Sequence, residues 1–383
     1  LTGRVRVPVK KEICRWALEE AQKDETVFLA RFEQAEKWLK EDLNPTFKQL
    51  EDAATFLQIP FGYMFLDTPP RRDSMQVEFR SISNKISNIS KNLQDTILAM
   101  DSRRGWMSDY RKELGWTKLA VIKQFHEKKS GRTSTDAKLA KTLLNLSPDW
   151  HTLPKDLDEA FRFLKEKLED IGILVMRSGI VGNNTKRPLD VNEFRAFLLY
   201  DDVAPLIFIN NNDSKAGKIF SLVHEFFHVL FEQEDVLLDL DLQNQQGERQ
   251  INALTAEFLM QQEKILDLWN QKVDAIKQIT ELSRHFKTSR LAMAIKLADL
   301  GLVNREIVER VRSKSVLDFK RKAGGEGTPN FYRVYHSRMS PTFLGAVIRS
   351  AESGGLSYTR AFNLLGVKGK TYDKIKEDVL SYE

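Results

Sequence analysis

The chain has 383 residues, 30% charged and 42% hydrophobic, a balance that excludes a disordered or fibrous protein and leaves room for two or three domains with cores of their own. A formal net charge of +5, from 59 basic against 54 acidic residues, permits a nucleic-acid partner without demanding one. No apolar run approaches the roughly 20 residues needed to span a bilayer, and the opening LTGRVRVPVKKEICRWALEE turns charged before a signal-peptide core could form, so a cytoplasmic protein with no membrane partner is expected.

Cys14 is the single cysteine, which rules out an internal disulfide and metal sites built from several thiolates. Lying between Ile13 and Trp16, it reads as core packing. Up to residue 70 the pattern is helical: Ile13, Trp16, Ala17 and Ala21, then Phe28, Leu29 and Phe32, then Phe47, Leu50, Ala53, Ala54 and Leu57 after the helix-start signal Asn44-Pro45-Thr46. Pro60, Gly62 and Pro69-Pro70 predict a boundary near residue 70.

Residues 71–154 form a helical connecting region in which Ile82, Ile86, Ile89, Leu93, Ile97 and Met100 recur as a packed stripe; 126–138 is a charged surface loop or helix end. After a helix over Leu157–Leu168 the period changes. Ile171–Val175, Phe194–Tyr200 and Pro205–Asn210 are short β-prone runs bounded by Gly, Asn and Asp, and predict a small sheet. Helices follow, giving a mainly α, multidomain chain with an α+β core over 155–320. A linker at 324–330 leads to a helical carboxy-terminal region, 331–383.

The chemical signal lies in Ser221-Leu222-Val223-His224-Glu225-Phe226-Phe227-His228. Histidines four apart share one helix face and can reach one ion, while the adjacent Glu225 can serve as general base without occupying a ligand position. The apolar flanks weigh against a chance pattern, because an idle Glu inside such a helix is costly. Catalysis needs a third protein ligand. The helical segment beginning at Gly247 offers Glu248 and Glu257, between which spacing does not choose; Asp235, Asp239 and Asp241 read as a solvated connection. Tyr200, Arg195 and His285 are candidates, by chemistry alone, for oxyanion or substrate contacts. Strand 205–210 is a candidate edge for pairing with an extended substrate.

KIFSLVHEFFHVLF followed by GERQINALTAEFLM resembles the ImmA/IrrE family of metallopeptidases. The resemblance implies a zincin-like core of a small sheet plus the HExxH helix, with Zn2+ (or another divalent metal such as Mn2+) held by His224, His228 and Glu248. Asn252 would support the ligands from behind. It further implies an endopeptidase that uses metal-activated water, with Glu225 as base, on a specific protein partner such as a transcriptional repressor or regulator in stress responses or mobile-element control. Phe227 stands where the family commonly has Gly, Gln261 where it has Pro, and Ile251 where it has Ala. Residues 38–70, with Trp38, Pro45-Thr46, Gln49-Leu50 and IPFGYMFLDTPP, resemble the amino-terminal segment of long family members, which carry a Cro/CI-like (XRE) helix-turn-helix domain. Here Trp38-Leu39-Lys40-Glu41 lacks the family's turn glycine and the room for a recognition helix is short, so residues 1–70 read as a degenerate version. Lys37, Lys40 and Lys48 are its candidate phosphate contacts. The alternative expectation is a DNA-binding regulator or toxin–antitoxin component that uses the peptidase fold as sensor or scaffold.

Overall fold

The computed structural model describes residues 6–21, 23–57, 59, 61–69, 89–233, 245–321 and 330–381. The expected boundary near residue 70, Ile82 and Ile86 of the predicted stripe, and Asp235, Asp239 and Asp241 lie outside these residues. The chain is mainly α-helical around a small mixed sheet, and divides into two compact units, residues 1–95 and 96–383.

In the first unit, helices α1 (Lys11–Glu20), α2 (Glu25–Arg31), α3 (Ala35–Leu39) and α4 (Phe47–Leu57) precede a short 3-10 turn, Phe61–Phe65. Their apolar positions meet as the periodicity predicts: Ile13, Ala17, Phe28, Trp38, Leu50, Ala53 and Leu57 are all buried. Cys14 is buried among them, and burial pushes its thiol up to about 12, consistent with packing rather than reactivity. Phe28, Phe32, Trp38 and Phe56 form a run of tilted and edge-on ring contacts with centroids 5.1–6.4 Å apart. After α3 the chain turns through Glu41 at φ +60°, the left-handed conformation a glycine would take most easily.

The second unit takes in most of α5 (Lys91–Glu113), then α6 (Ala120–Lys128), α7 (Thr133–Leu143), α8 (Leu157–Asp170), β1 (Leu174–Ser178), β2 (Ala196–Leu199), β3 (Leu206–Asn210) and α9 (Lys215–Leu230). After these come α10 (Gln245–Leu259), α11 (Gln262–Leu268), α12 (Ala275–His285), α13 (Arg290–Asp299), α14 (Arg305–Arg321), α15 (Phe331–Arg338), α16 (Pro341–Glu352), α17 (Tyr358–Leu365) and α18 (Gly369–Leu380). One core joins side chains from α6 and α7 to those of α8, the sheet and α9–α14. Arg111 of α5 is almost fully buried and donates to the carbonyls of Gly172 (2.6 Å) and Val203 (2.7 Å), just ahead of β1 and β3. Charged donors on those carbonyls replace the water they lose on burial.

Strand order is β1-β3-β2, with β1 parallel to β3 (Val175 opposite Ile207) and β2 antiparallel to it (Leu198 opposite Ile207). This corrects one expectation. The run Pro205–Asn210 cannot offer an edge to a substrate, because β3 is the central strand, buried along its whole length and hydrogen-bonded on both sides. Its unbroken apolar character records that burial. The outer strands are β1 and β2, and β2 packs on α9.

Candidate metal centre

Helix α9 starts where Ser214 accepts a hydrogen bond from Gly217 N (3.0 Å), closing the first turn. A Cβ at Gly217 would lie 2.5 Å from an Asp213 carboxylate oxygen, so glycine lets that carboxylate stand over the helix entrance, where Arg195 pairs with it at 3.3 Å. Ile219, Leu222, Val223, Phe226, Phe227, Val229 and Leu230 are buried, which places α9 in the core on nearly every side. Phe227 is fully buried and meets Phe258 of α10 edge-on, with centroids 6.0 Å apart. It packs the two motif helices together.

His224 and His228 project from one face of α9. Their Nε2 atoms are 2.9 Å apart, and the Glu248 carboxylate from the first turn of α10 reaches both, Oε2 at 3.3 Å from His224 and Oε1 at 3.4 Å from His228. One ligand atom from each lies within 4.8 Å of the others, the one such group of His, Cys, Asp or Glu among the described residues. Ligands about 2.0–2.1 Å from a tetrahedral ion are separated by about 3.3 Å, so the three donors fit a divalent metal of the zinc type. The His224 imidazole, and more weakly that of His228, holds the Glu248 carboxyl below its ordinary range, as suits an anionic ligand. His228 is nearly buried while His224 and Glu248 keep about one sixth of their side-chain surface, so the centre opens on their side. Glu257 is otherwise engaged: its carboxylate accepts from Lys296 (2.7 Å) and from Gln262 N (3.1 Å).

Glu225 is 8% exposed, beside His224 in sequence and within α9. Asn252 sits one turn beyond Glu248 on α10 and is exposed. Tyr200 donates to Asp202 (2.7 Å), and burial followed by that carboxylate pushes its phenol up. Arg195 is held by Asp213, and His285 lies against His151, with Nε2 atoms 3.0 Å apart. In the first unit, Lys40 pairs with Glu36, and Lys48 with Glu51 and Asp52. Lys37 is exposed on α3.

One residue at the centre escaped the sequence reading. Gln233 Oε1 lies 3.0 Å from His228 Nδ1. Since a carbonyl oxygen can only accept, the ring carries its proton on Nδ1 and turns the lone pair of Nε2 toward Glu248 and His224. The helix ends just before, with Glu232 at φ +57° and Gln233 N donating back to the His228 carbonyl (3.1 Å). The Glu232 carboxylate is pinned by Lys118 (2.5 Å) and His126 (3.1 Å).

The peptidase M78 family model, described as an IrrE N-terminal-like domain, matches residues 168–298, a span that runs from the end of α8 to α13 and includes His224, Glu225, His228 and Glu248. A domain of unknown function (DUF8813) matches residues 339–377, covering α16 and α17 and most of α18. Neither the curated proteins nor the solved structures yielded a match.

Proposed function

We propose that this protein is a metal-dependent endopeptidase acting on a protein substrate, with a zinc-type ion held by His224, His228 and Glu248 and with Glu225 as general base. The observation that carries the reading is the convergence of two imidazoles and one carboxylate, at metal-ligand separations, inside the region matched by a peptidase family model. Three protein ligands leave a fourth position for reactants, the arrangement of catalytic rather than structural sites.

When bound, the ion supplies Lewis acidity, which polarises a scissile carbonyl and acidifies water. The remaining work falls to the chain. Glu225 takes a proton from the attacking water on its carboxylate and passes it to the leaving amine nitrogen, so the same group serves as base and then acid. Its burial beside His224 supports this role by keeping competing water few. Strand β2, at the sheet border and packed on α9, is the strand that would pair with an extended peptide. Asn252, one turn on from Glu248, would steady that carboxylate.

A regulator is the expected substrate class, by likeness to the ImmA/IrrE enzymes. The DNA-binding alternative gains less support: Lys40 and Lys48 already share carboxylates, and α3 is five residues long with Ala35, Trp38 and Leu39 turned into the core. The test uses metal-loaded protein on a proteome-derived peptide library, with new amino termini read by mass spectrometry. Wild type should generate them, and Glu225→Gln should generate none while retaining its metal. Equal cleavage by Glu225→Gln would remove the base from the mechanism, and no cleavage by wild type would remove the activity.

A further inference from the structure

Four of the six histidines stand in two pairs, and the second pair repeats the geometry of the first. His224 and His228 bring Nε2 atoms to 2.9 Å, with ring centroids 4.7 Å apart and planes at 62°. His151 and His285 bring Nε2 atoms to 3.0 Å, with centroids 4.6 Å apart and planes at 69°. The second pair is assembled across 134 residues, from a short 3-10 turn (Trp150–Thr152) and the last residue of α12. We infer that His151 and His285 form a second transition-metal site, for a borderline cation such as Zn2+ or Ni2+, separate from the proposed catalytic centre.

Two features support it. Imidazole nitrogens are the usual ligands for these cations, and both rings present the same nitrogen to one point. His151 is 1% exposed and its ring is fixed between His285 and Phe286, whose centroid is 4.9 Å away, whereas His285 is exposed, so one ligand is built in and the other faces exchangeable solvent. The charges around the pair are Asp149, Lys264, Lys141 and Lys287. Lys264 is bound to Asp149, which offsets its repulsion of a cation. With two protein ligands the remaining positions fall to solvent, so this site holds its ion more loosely than the three-ligand centre. His151 lies outside the 168–298 match, so the pair is not a feature that the family model spans.

The experiment is equilibrium dialysis of the full chain against Zn2+, and separately Ni2+, in a His224→Ala/His228→Ala background, which leaves Glu248 as the sole donor of the first centre. We expect about one ion per chain to remain bound, and His285→Ala in that background to abolish it. His285→Gln keeps a hydrogen-bonding partner for His151 but is a poor ligand, so it should also lose the ion while unfolding at the same temperature as its parent. No ion bound to the His224→Ala/His228→Ala protein, or one that survives both His285 substitutions, would overturn the site and leave the pair as an imidazole–imidazole hydrogen bond. Neither result depends on peptidase activity.

Discussion

Gln233 meets His228 because Glu232 adopts a left-handed backbone at the end of α9 and folds the next residue back on the helix. A non-glycine residue there costs about 1–2 kcal/mol, and the ion pair of Glu232 with Lys118 helps to hold it. What the turn provides is a fixed tautomer of His228. Gln233→Ala should therefore weaken metal affinity by about 10–100-fold, measured by competition with a chromogenic chelator, with little change in thermal stability. Gln233→Glu, which still offers an accepting oxygen, should keep most of the affinity. Unchanged binding by Gln233→Ala would mean that packing alone orients the ring. None of this was legible beforehand: Glu is not a residue type that announces a left-handed turn, and Gln233 lies outside any ligand spacing. The two histidines and Glu225 were legible because their relation is set by the pitch of a single helix. The choice of Glu248 over Glu257 came from resemblance, and the structure adds a reason in the Lys296 pair that occupies Glu257.

At the scale of elements, the contact between α9 and α10 sets how Glu248 faces the two histidines. Phe227 and Phe258 fill that contact, edge-on and with centroids 6.0 Å apart. Phe227→Ala opens a cavity between two buried helices and should cost about 3–5 kcal/mol, read by urea denaturation. A loss below about 1 kcal/mol would mean that the helices close over the gap. The three strands were legible as short apolar runs, each placed to within a few residues. Their order was not. A central strand and a buried edge strand carry the same apolar pattern, and only the pairing of β3 with both neighbours shows that β2 and β1 are the borders. The left-handed turn at Glu41 left no trace in the sequence either, since glutamate does not favour that backbone.

At the scale of the whole molecule, long-range polar contacts join segments that the sequence presents as separate. Within the second unit, Lys165 of α8 donates to the Met339 carbonyl (2.6 Å), and burial pulls its ammonium down to about 8. Glu169 of the same helix accepts from Ser340 (2.7 Å) and from Val175 N of β1 (2.8 Å), linking the N-terminus of α16 to the sheet. Arg103 of α5 donates to the Leu364 carbonyl of α17 (2.8 Å). Such pairings are fixed by the fold and leave no periodic trace in the chain, which is why the helical character of 331–383 could be anticipated and its docking could not. No described helix is long and apolar enough to cross a membrane. Everything proposed for this chain as an enzyme rests on the ion that His224, His228 and Glu248 would hold. The most direct test is elemental analysis of the purified protein beside Glu248→Ala. The account predicts about one zinc-type ion per wild-type chain at the three-ligand centre, lost or much weakened in Glu248→Ala once any ion held by His285 is removed by His285→Ala in both. A metal-replete wild type that binds no more than the Glu248→Ala protein would contradict it, and the cluster would then be a hydrogen-bonded core feature rather than a metal centre.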